Sequence, residues 1–408
     1  MMKKKSKINP RGNARTPDQR CILCQNEILA KVKPEHILLN SLGGRMTVRD
    51  VICSECNHQM GIGPDEDLAK STEFLRNICQ LKAGDGDDAP QIRGLEFDGL
   101  RFDLTNRAKP RVRAQKPLGL SATDKEIQVA IEAYSEEEAE KLATGAAEWI
   151  AKRLGRATPE AVNAIKQDIL KDMRSGFRPG PEIRQAVQFG TGKSQQSKAK
   201  ACLALWARFH GNAEVNSSRY DVIRHFIRSG ERPEVSDGFI ELDTRPLPKL
   251  QDRFGTNPNV VWVGSNTLGK AFGYFRLYGA IGWRIPLCDR GAPLNQRHCL
   301  VSNPFDNKEW AVLRDNQCPV DTDWIFAHLD VEQHDFEQVQ NRLTPMLAFA
   351  HKLSKRSWLD ALVQEGLQKP GCKEGETITE KHIKGLVDHI GPALTAYLLK
   401  KSVHSSRS

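Results

Sequence analysis

The sequence predicts an α+β chain with three parts: a small cysteine-bounded N-terminal module, a mixed α/β body, and a mainly helical C-terminal region. Three observations carry this reading. Two Cys-x-x-Cys pairs, Cys21/Cys24 and Cys53/Cys56, bracket a short segment. From about residue 91, short apolar–polar alternations of strand type interleave with helical periodicity. Beyond about residue 321 the pattern is mostly helical, as in DFEQVQNRLTPMLAFAHKLSKRSWLDALV and HIKGLVDHIGPALTAYLLKK.

At 408 residues the chain is long enough for two or three cores. A composition of 39% hydrophobic and 27% charged residues excludes a wholly disordered chain and an integral membrane protein. Runs such as ALTAYLL fall far short of the ~20 apolar residues that span a bilayer. The basic start MMKKKSKINPRGNARTPDQR is followed by no apolar stretch, so no signal peptide is expected. Residues 1–20 carry basic side chains with almost nothing apolar and are expected to be flexible. Four of the ten cysteines sit in the two pairs, and the other six are scattered without a pairing pattern. That usage fits a reducing cytoplasm. A net charge of +9 makes a polyanionic partner plausible and no membrane partner is indicated.

Residues 21–82 form the first module. Its second pair runs into Asn57-His58 and a helix starting near Ser54. DEDLAKSTEFLRNICQLK then reads as a buttressing helix, and AGDGDDAP (83–90) as a boundary loop. The body, residues 91–320, opens with the alternating QIRGLEFDGLRFDL around an Asp98-Gly99 turn, and KEIQVAIEAY is a further strand. Ser135 with Glu138 is a capping-box signal for the next helix, which Gly155 ends. Thr158-Pro159 starts another, through about Met173. A Gly/Pro/Ser-rich loop (175–197) precedes a helix over 198–211 that closes on Gly211. SSRYDVIRHFIRSG follows, with Tyr220, Ile223, Phe226 and Ile227 on its apolar side and Arg219, Arg224 and Arg228 on its polar side. Those arginines suit a phosphate-contacting face or a plain solvated one. VVWVG and FGYFRLYGAIGWRIPLC read as buried strands.

Two Cys-x-x-Cys turns separated by such a loop suit a tetrahedral Zn²⁺. A purely structural zinc ribbon gives no reason for Glu35-His36 between the turns, or for Asn57 directly after the last cysteine. Cleaving a phosphodiester needs a nucleophile, a base to generate it, and a cation to stabilise developing charge. Imidazole titrates near neutrality and suits the base. Mg²⁺ or another hard divalent cation takes oxygen ligands, which Glu35 and the Asn57 amide supply. On a strand, Glu35 and His36 point to opposite faces, so both border one site only if the hairpin bends. The Gly43-Gly44 pair lets the chain reverse.

CILC, Glu35-His36-Ile37, Gly43-Gly44 and CSECNHQMG together resemble the zinc-ribbon branch of the HNH endonucleases, with their ββα-metal fold. The resemblance covers residues 21 to about 61. It implies that His36 is the general base activating water, that Glu35 and Asn57 hold a catalytic Mg²⁺, and that Cys21, Cys24, Cys53 and Cys56 bind a structural Zn²⁺. The family's central Asn falls at Asp50, with Asn40 as a second candidate, and His58 is the alternative to Asn57 as ligand. The partner it implies is nucleic acid, foremost double-stranded DNA, cut in phage defence, restriction or a mobile element. The body is expected to supply recognition, homo-oligomerisation or effector sensing. The competing reading is a non-catalytic zinc-ribbon nucleic-acid binder or regulator. A thiol–disulfide enzyme would need a βαβ setting that neither pair has. The spacings of Cys288, His298, Cys299 and Cys318 fit no compact metal site, so buried free thiols are expected there.

Overall fold

The computed structural model describes residues 19–28, 32–97, 100–113, 117–123, 127–133, 136–172, 192–233, 239–248, 252–329, 335–368, 370–373 and 375–405. The expected flexible start, the Asp98-Gly99 turn, the Ser135 cap and most of the Gly/Pro/Ser-rich loop lie outside the described residues. The chain is α+β as expected, and it divides into a unit ending at Leu343 and a second unit from Thr344 to Ser408. No described helix is long and apolar enough to cross a membrane.

The first unit opens with a minimal antiparallel hairpin, β1 (Glu35–His36) and β2 (Thr47–Val48), in which Glu35 faces Val48 and His36 faces Thr47. The connection reverses through a 3₁₀ turn closed by Gly43 at φ 82°, a left-handed conformation that favours glycine. Gly44 is required for a different reason. A Cβ there would lie 1.8 Å from the Leu38 carbonyl oxygen. Next come α1 (Ser54–Gly61), capped by the Cys53 side chain, and α2 (Pro64–Ile78). Helix α2 begins with Pro64 and then Asp65, Glu66 and Asp67, the residues a helix N-terminus favours.

A three-stranded sheet follows: β3 (Ile92–Phe97), β4 (Leu100–Leu104) and β5 (Pro110–Arg113). The Asn77 side chain on α2 ties it down, donating at 2.8 Å to the carbonyls of Pro90 and Thr105. A separate hairpin, β6 (Leu118–Ala122) with β7 (Ile127–Ile131), precedes α3 (Glu136–Arg153) and α4 (Pro159–Asp172). The buried stripe of α3 is Ala139, Ala143, Ala146, Ala147, Ile150 and Ala151, at the helical period.

Helix α5 (Ser194–Val215) joins the parts. It starts before the expected residue 198 and does not stop at Gly211, where φ is 83°; the chain kinks and the helix resumes to Val215. Residues Ala199 to Ala207 are buried all round, as expected of a helix covered on both sides. One side packs on α2. The other packs on a six-stranded antiparallel sheet ordered β13-β12-β9-β10-β11-β8. Its strands are β8 (Glu241–Asp243), β9 (Asn259–Ser265), β10 (Ala271–Leu277), β11 (Ile281–Cys288), β12 (Arg297–Asn303) and β13 (Asp306–Arg314). Gly273 lets α5 approach: a Cβ there would lie 2.4 Å from the Cβ of Cys202. The sheet's own core gathers Phe254, Val260, Trp262, Tyr274, Cys299, Val301, Leu313 and Ile325.

Helix α6 (Asp221–Ser229) follows and packs against α5 and β11, with Tyr220, Ile223, Phe226 and Ile227 buried as expected. Arg224 does not join a polar face. It is 4% exposed and donates to the carbonyls of Val215 and Ser217 and to Asp221, satisfying the end of α5. The chain then continues through α7 (Thr322–Phe326) into α8 (Phe336–Gln368). The second unit holds most of α8 together with α9 (Glu380–Ser405), with Gly366 close against Leu386.

Candidate active site

The Sγ atoms of Cys21, Cys24, Cys53 and Cys56 lie within 4.8 Å of one another. Two turns build this cluster. In the first, the Leu23 amide donates to Cys21 Sγ at 3.4 Å; in the second, the Cys56 amide donates to Cys53 Sγ at 3.5 Å. Such N–H···S bonds stabilise thiolates, and Cys21 is pushed down to about 4, chiefly by the Cys56 thiol donating to it. Four convergent sulfurs with backbone donors at each turn fit a structural Zn²⁺. Among the described residues Cys288, His298, Cys299 and Cys318 form no such group, in keeping with buried thiols. A Cys372, Glu376 and His382 group in the second unit is one that spacing alone did not suggest.

In the same segment of the chain an open cleft of about 400 Å³ is lined by Glu35, His36, Leu39, Asn40, Ser41, Gly61, Asp65, Glu66 and Ala69. Adjacent residues of β1 thus border one space although the strand alternates. Glu35 is buried at 7% exposure, while His36 is half-buried. Burial pushes the His36 imidazole below its ordinary value, Lys33 adds to this, and Asp85 opposes it. The ring is therefore a neutral base at neutral pH, the form that takes up a proton.

Glu35 has a partner that local sequence does not disclose. The ammonium of Lys200, on α5, donates to Glu35 Oε1 and, at 2.5 Å, to Asp65 Oδ2. Asp65 Oδ1 accepts from Ser197 Oγ at 2.6 Å. Lys200 is 1% exposed. Burial works against its charge, yet Asp65 and Glu35 outweigh burial and hold its pKa above the ordinary value. For Glu35, burial wins over the attraction of Lys200 and raises the carboxyl. The buried ammonium of Lys200 and the buried carboxylate of Glu35 are the kind of pairing without which neither charge would be tolerated inside, and the half-buried Asp65 adds a second counter-charge.

The other sequence candidates are placed as follows. Asn57 is half-buried on α1, one turn before the cleft-lining Gly61 and on the same helix face, and does not itself line the cleft. His58 is exposed and does not line the cleft. Asp50 is exposed, with φ 57°, and its carbonyl accepts from Asn212 Nδ2 on α5 at 2.7 Å. It anchors the backbone rather than bordering the cleft. Asn40 does border it, with its amide engaged by the adjacent loop. Nδ2 donates to Asp85 at 2.7 Å and Oδ1 accepts from the Asp85 amide at 3.0 Å. Asp65 and Lys200 are the residues that sequence reasoning missed. The only hint was a pair of lysines, Lys198 and Lys200, opening an otherwise apolar helix.

No curated protein and no solved structure matches this chain. The family model of the HNH endonucleases does match, over residues 21–73, the segment that contributes all four cysteines, the Glu35-His36 hairpin, α1 and the start of α2. With its cysteine cluster, that segment is similar to the zinc-binding module of the HNH endonucleases, a family of nucleases acting with divalent metals.

Proposed function

We propose that the chain is a divalent-metal-dependent endonuclease that hydrolyses phosphodiester bonds in DNA. The observation that carries this reading is the convergence of Glu35 and His36 on one open cleft within the segment matched by the HNH model. In this reading His36, neutral at physiological pH, accepts the proton of the attacking water. Glu35, with Asn57 of α1 as its second ligand, would hold the catalytic cation, most simply Mg²⁺. That cation, when bound, stabilises charge on the leaving oxygen. The cysteine-bound Zn²⁺ fixes the hairpin against α1 and takes no part in the chemistry. His58, exposed on α1, contacts phosphate. A role in phage defence, restriction or a mobile element stands on the same resemblance.

The second reading, a non-catalytic nucleic-acid binder, is favoured by one observation: Lys200 already engages the Glu35 carboxylate. One assay separates the two. Supercoiled plasmid is incubated with the zinc-loaded protein, with and without added Mg²⁺, and with EDTA. Nicking or linearisation that requires the divalent ion is expected, and His36→Ala is expected to lose it by at least a hundredfold while keeping its zinc and its fold. Metal-dependent nicking retained by His36→Ala removes His36 from the mechanism. DNA binding without cleavage in Mg²⁺ or Mn²⁺ establishes the binder.

A further inference from the structure

We propose that Lys200 is a positioning residue for Glu35, so that the body, through α5, completes the active site of the N-terminal module. The proposal rests on the reading of Glu35 as a metal ligand given above. Lys200 lies far beyond the residues matched by the family model. It comes from a helix covered on both sides, so its Cα has little freedom.

The hydrogen bonds divide the carboxylate oxygens unequally. Lys200 takes Oε1 of Glu35 and Oδ2 of Asp65, and Ser197 takes Oδ1 of Asp65. Among the described residues, Glu35 Oε2 alone of the four has no protein partner. A glutamate carries three side-chain torsions, and an ammonium clamped on one oxygen removes most of that freedom. It leaves a single oxygen for a cation in the cleft, which suits a hard divalent ion taking one atom from each of several ligands. Charge points the same way. Glu35, Asp65 and Lys200 together carry a formal charge of −1, so the group still attracts a divalent cation with Lys200 in place.

Packing alone does not require the ammonium. Helices α2 and α5 are also joined by the Ser194 amide donating to Asp67 at 2.8 Å and by Ser197 donating to Asp65. The lysine is the contact that reaches the hairpin. Outer-shell partners of this kind contribute about 10- to 100-fold to metal affinity.

The test measures Mn²⁺ binding to the zinc-loaded full chain by electron paramagnetic resonance, which reads free ion independently of cleavage. Glu35→Gln is expected to abolish the site, and Lys200→Met to weaken it at least about tenfold with zinc content and circular dichroism unchanged. If Glu35→Gln leaves Mn²⁺ binding unchanged, Glu35 is no ligand, and the underlying reading falls together with the proposal. If Glu35→Gln weakens binding but Lys200→Met binds as tightly as the parent, or more tightly, the proposal alone is overturned; tighter binding would make the lysine a competitor of the metal. Should Lys200→Met fail to fold, Asp65→Asn loosens the same ammonium from its other anchor. A severalfold loss of Mn²⁺ affinity in that variant supports the proposal, and an unchanged affinity overturns it.

Discussion

Within the knuckle module the paired strands are two residues long, whereas β9 to β13 of the body run for seven to nine. The contrast extends to what lies beneath them. The module buries mainly aliphatic side chains such as Ile22, Leu23, Ile37, Leu38 and Val48, while the body buries Trp206, Trp262, Tyr274, Phe275 and Trp283. A two-residue ladder with a small aliphatic interior cannot fix a hairpin by itself. The module is held from outside instead, by contacts from the body, and its four convergent cysteines offer a metal a further tie. Gln25 Nε2 donates to the Asn216 carbonyl at 2.8 Å, Asn212 reaches the carbonyls of Arg20 and Asp50, and Asn259 reaches that of Leu42 at 3.1 Å. A hairpin supported this way can carry polar, half-buried side chains that a self-sufficient core would exclude.

Removing the metal should separate the two regions most sharply. Structural zinc contributes roughly 10 kcal/mol or more to modules of this type. Stripping it with a strong chelator, or substituting Cys53→Ser, is expected to unfold residues 21–82 and leave the sheet intact. All seven tryptophans lie outside that segment, so their fluorescence reports the rest of the chain and not the module. The expected result is unchanged tryptophan emission, with the knuckle cysteines becoming reactive to a thiol reagent and residues 21–82 becoming open to protease. A coincident red shift would show that the module holds the body as much as the body holds the module.

The reverse perturbation is smaller in energy but wider in reach. Trp262 on β9 is fully buried in the sheet core. Trp262→Ala should cost about 3–5 kcal/mol. Because α5 rests on β9 and β10 and also carries Lys200, Mn²⁺ affinity at the cleft should decline as the body melts. A melt in which metal binding outlives tryptophan burial would show the module to be autonomous.

What could be read from the sequence follows the same division. The knuckles, the Glu35-His36 dipeptide, the Gly43-Gly44 reversal and α1 are all set by residues a few positions apart, and spacing reveals them. Strands β9 to β11 were legible from their β-branched and aromatic runs. Strands β12 and β13 were not, because RHCLVSN and DNKEWAVLR mix polar and apolar residues without clear alternation. Gly211 reads as a helix end, since nothing local says that α5 resumes after its kink. Arg224 reads as part of a polar face because the Val215 and Ser217 carbonyls become its neighbours only once α5 has ended. The Lys200–Glu35 bridge spans 165 positions, so neither residue carries a mark of the other. Local chemistry is written locally, and its support is written in the tertiary fold.

Acid should expose a weak point in the body and leave a different signature from zinc loss. His298 on β12 is 8% exposed and stacks on Phe209 of α5, with ring centroids 3.8 Å apart. Neither ring nitrogen has a hydrogen-bond partner among the described residues. Burial, reinforced by His210 and Arg314, pushes its pKa down to about 4 from an ordinary 6.5. The folded state therefore favours the neutral ring more than the unfolded state does. That contribution is complete above pH 6.5 and is lost as pH falls from there toward 4. By pH 5 the loss should be about 2 kcal/mol. His298→Phe, which keeps the stack and removes the titration, should flatten the fall in melting temperature between pH 7.5 and pH 5.0. The fall should remain unchanged in a zinc-binding-defective Cys53→Ser background, since the two perturbations act on regions that share α5 but not a core. An equal fall in parent and His298→Phe would locate the acid sensitivity elsewhere. A fall that disappears with zinc loss would place it in the module.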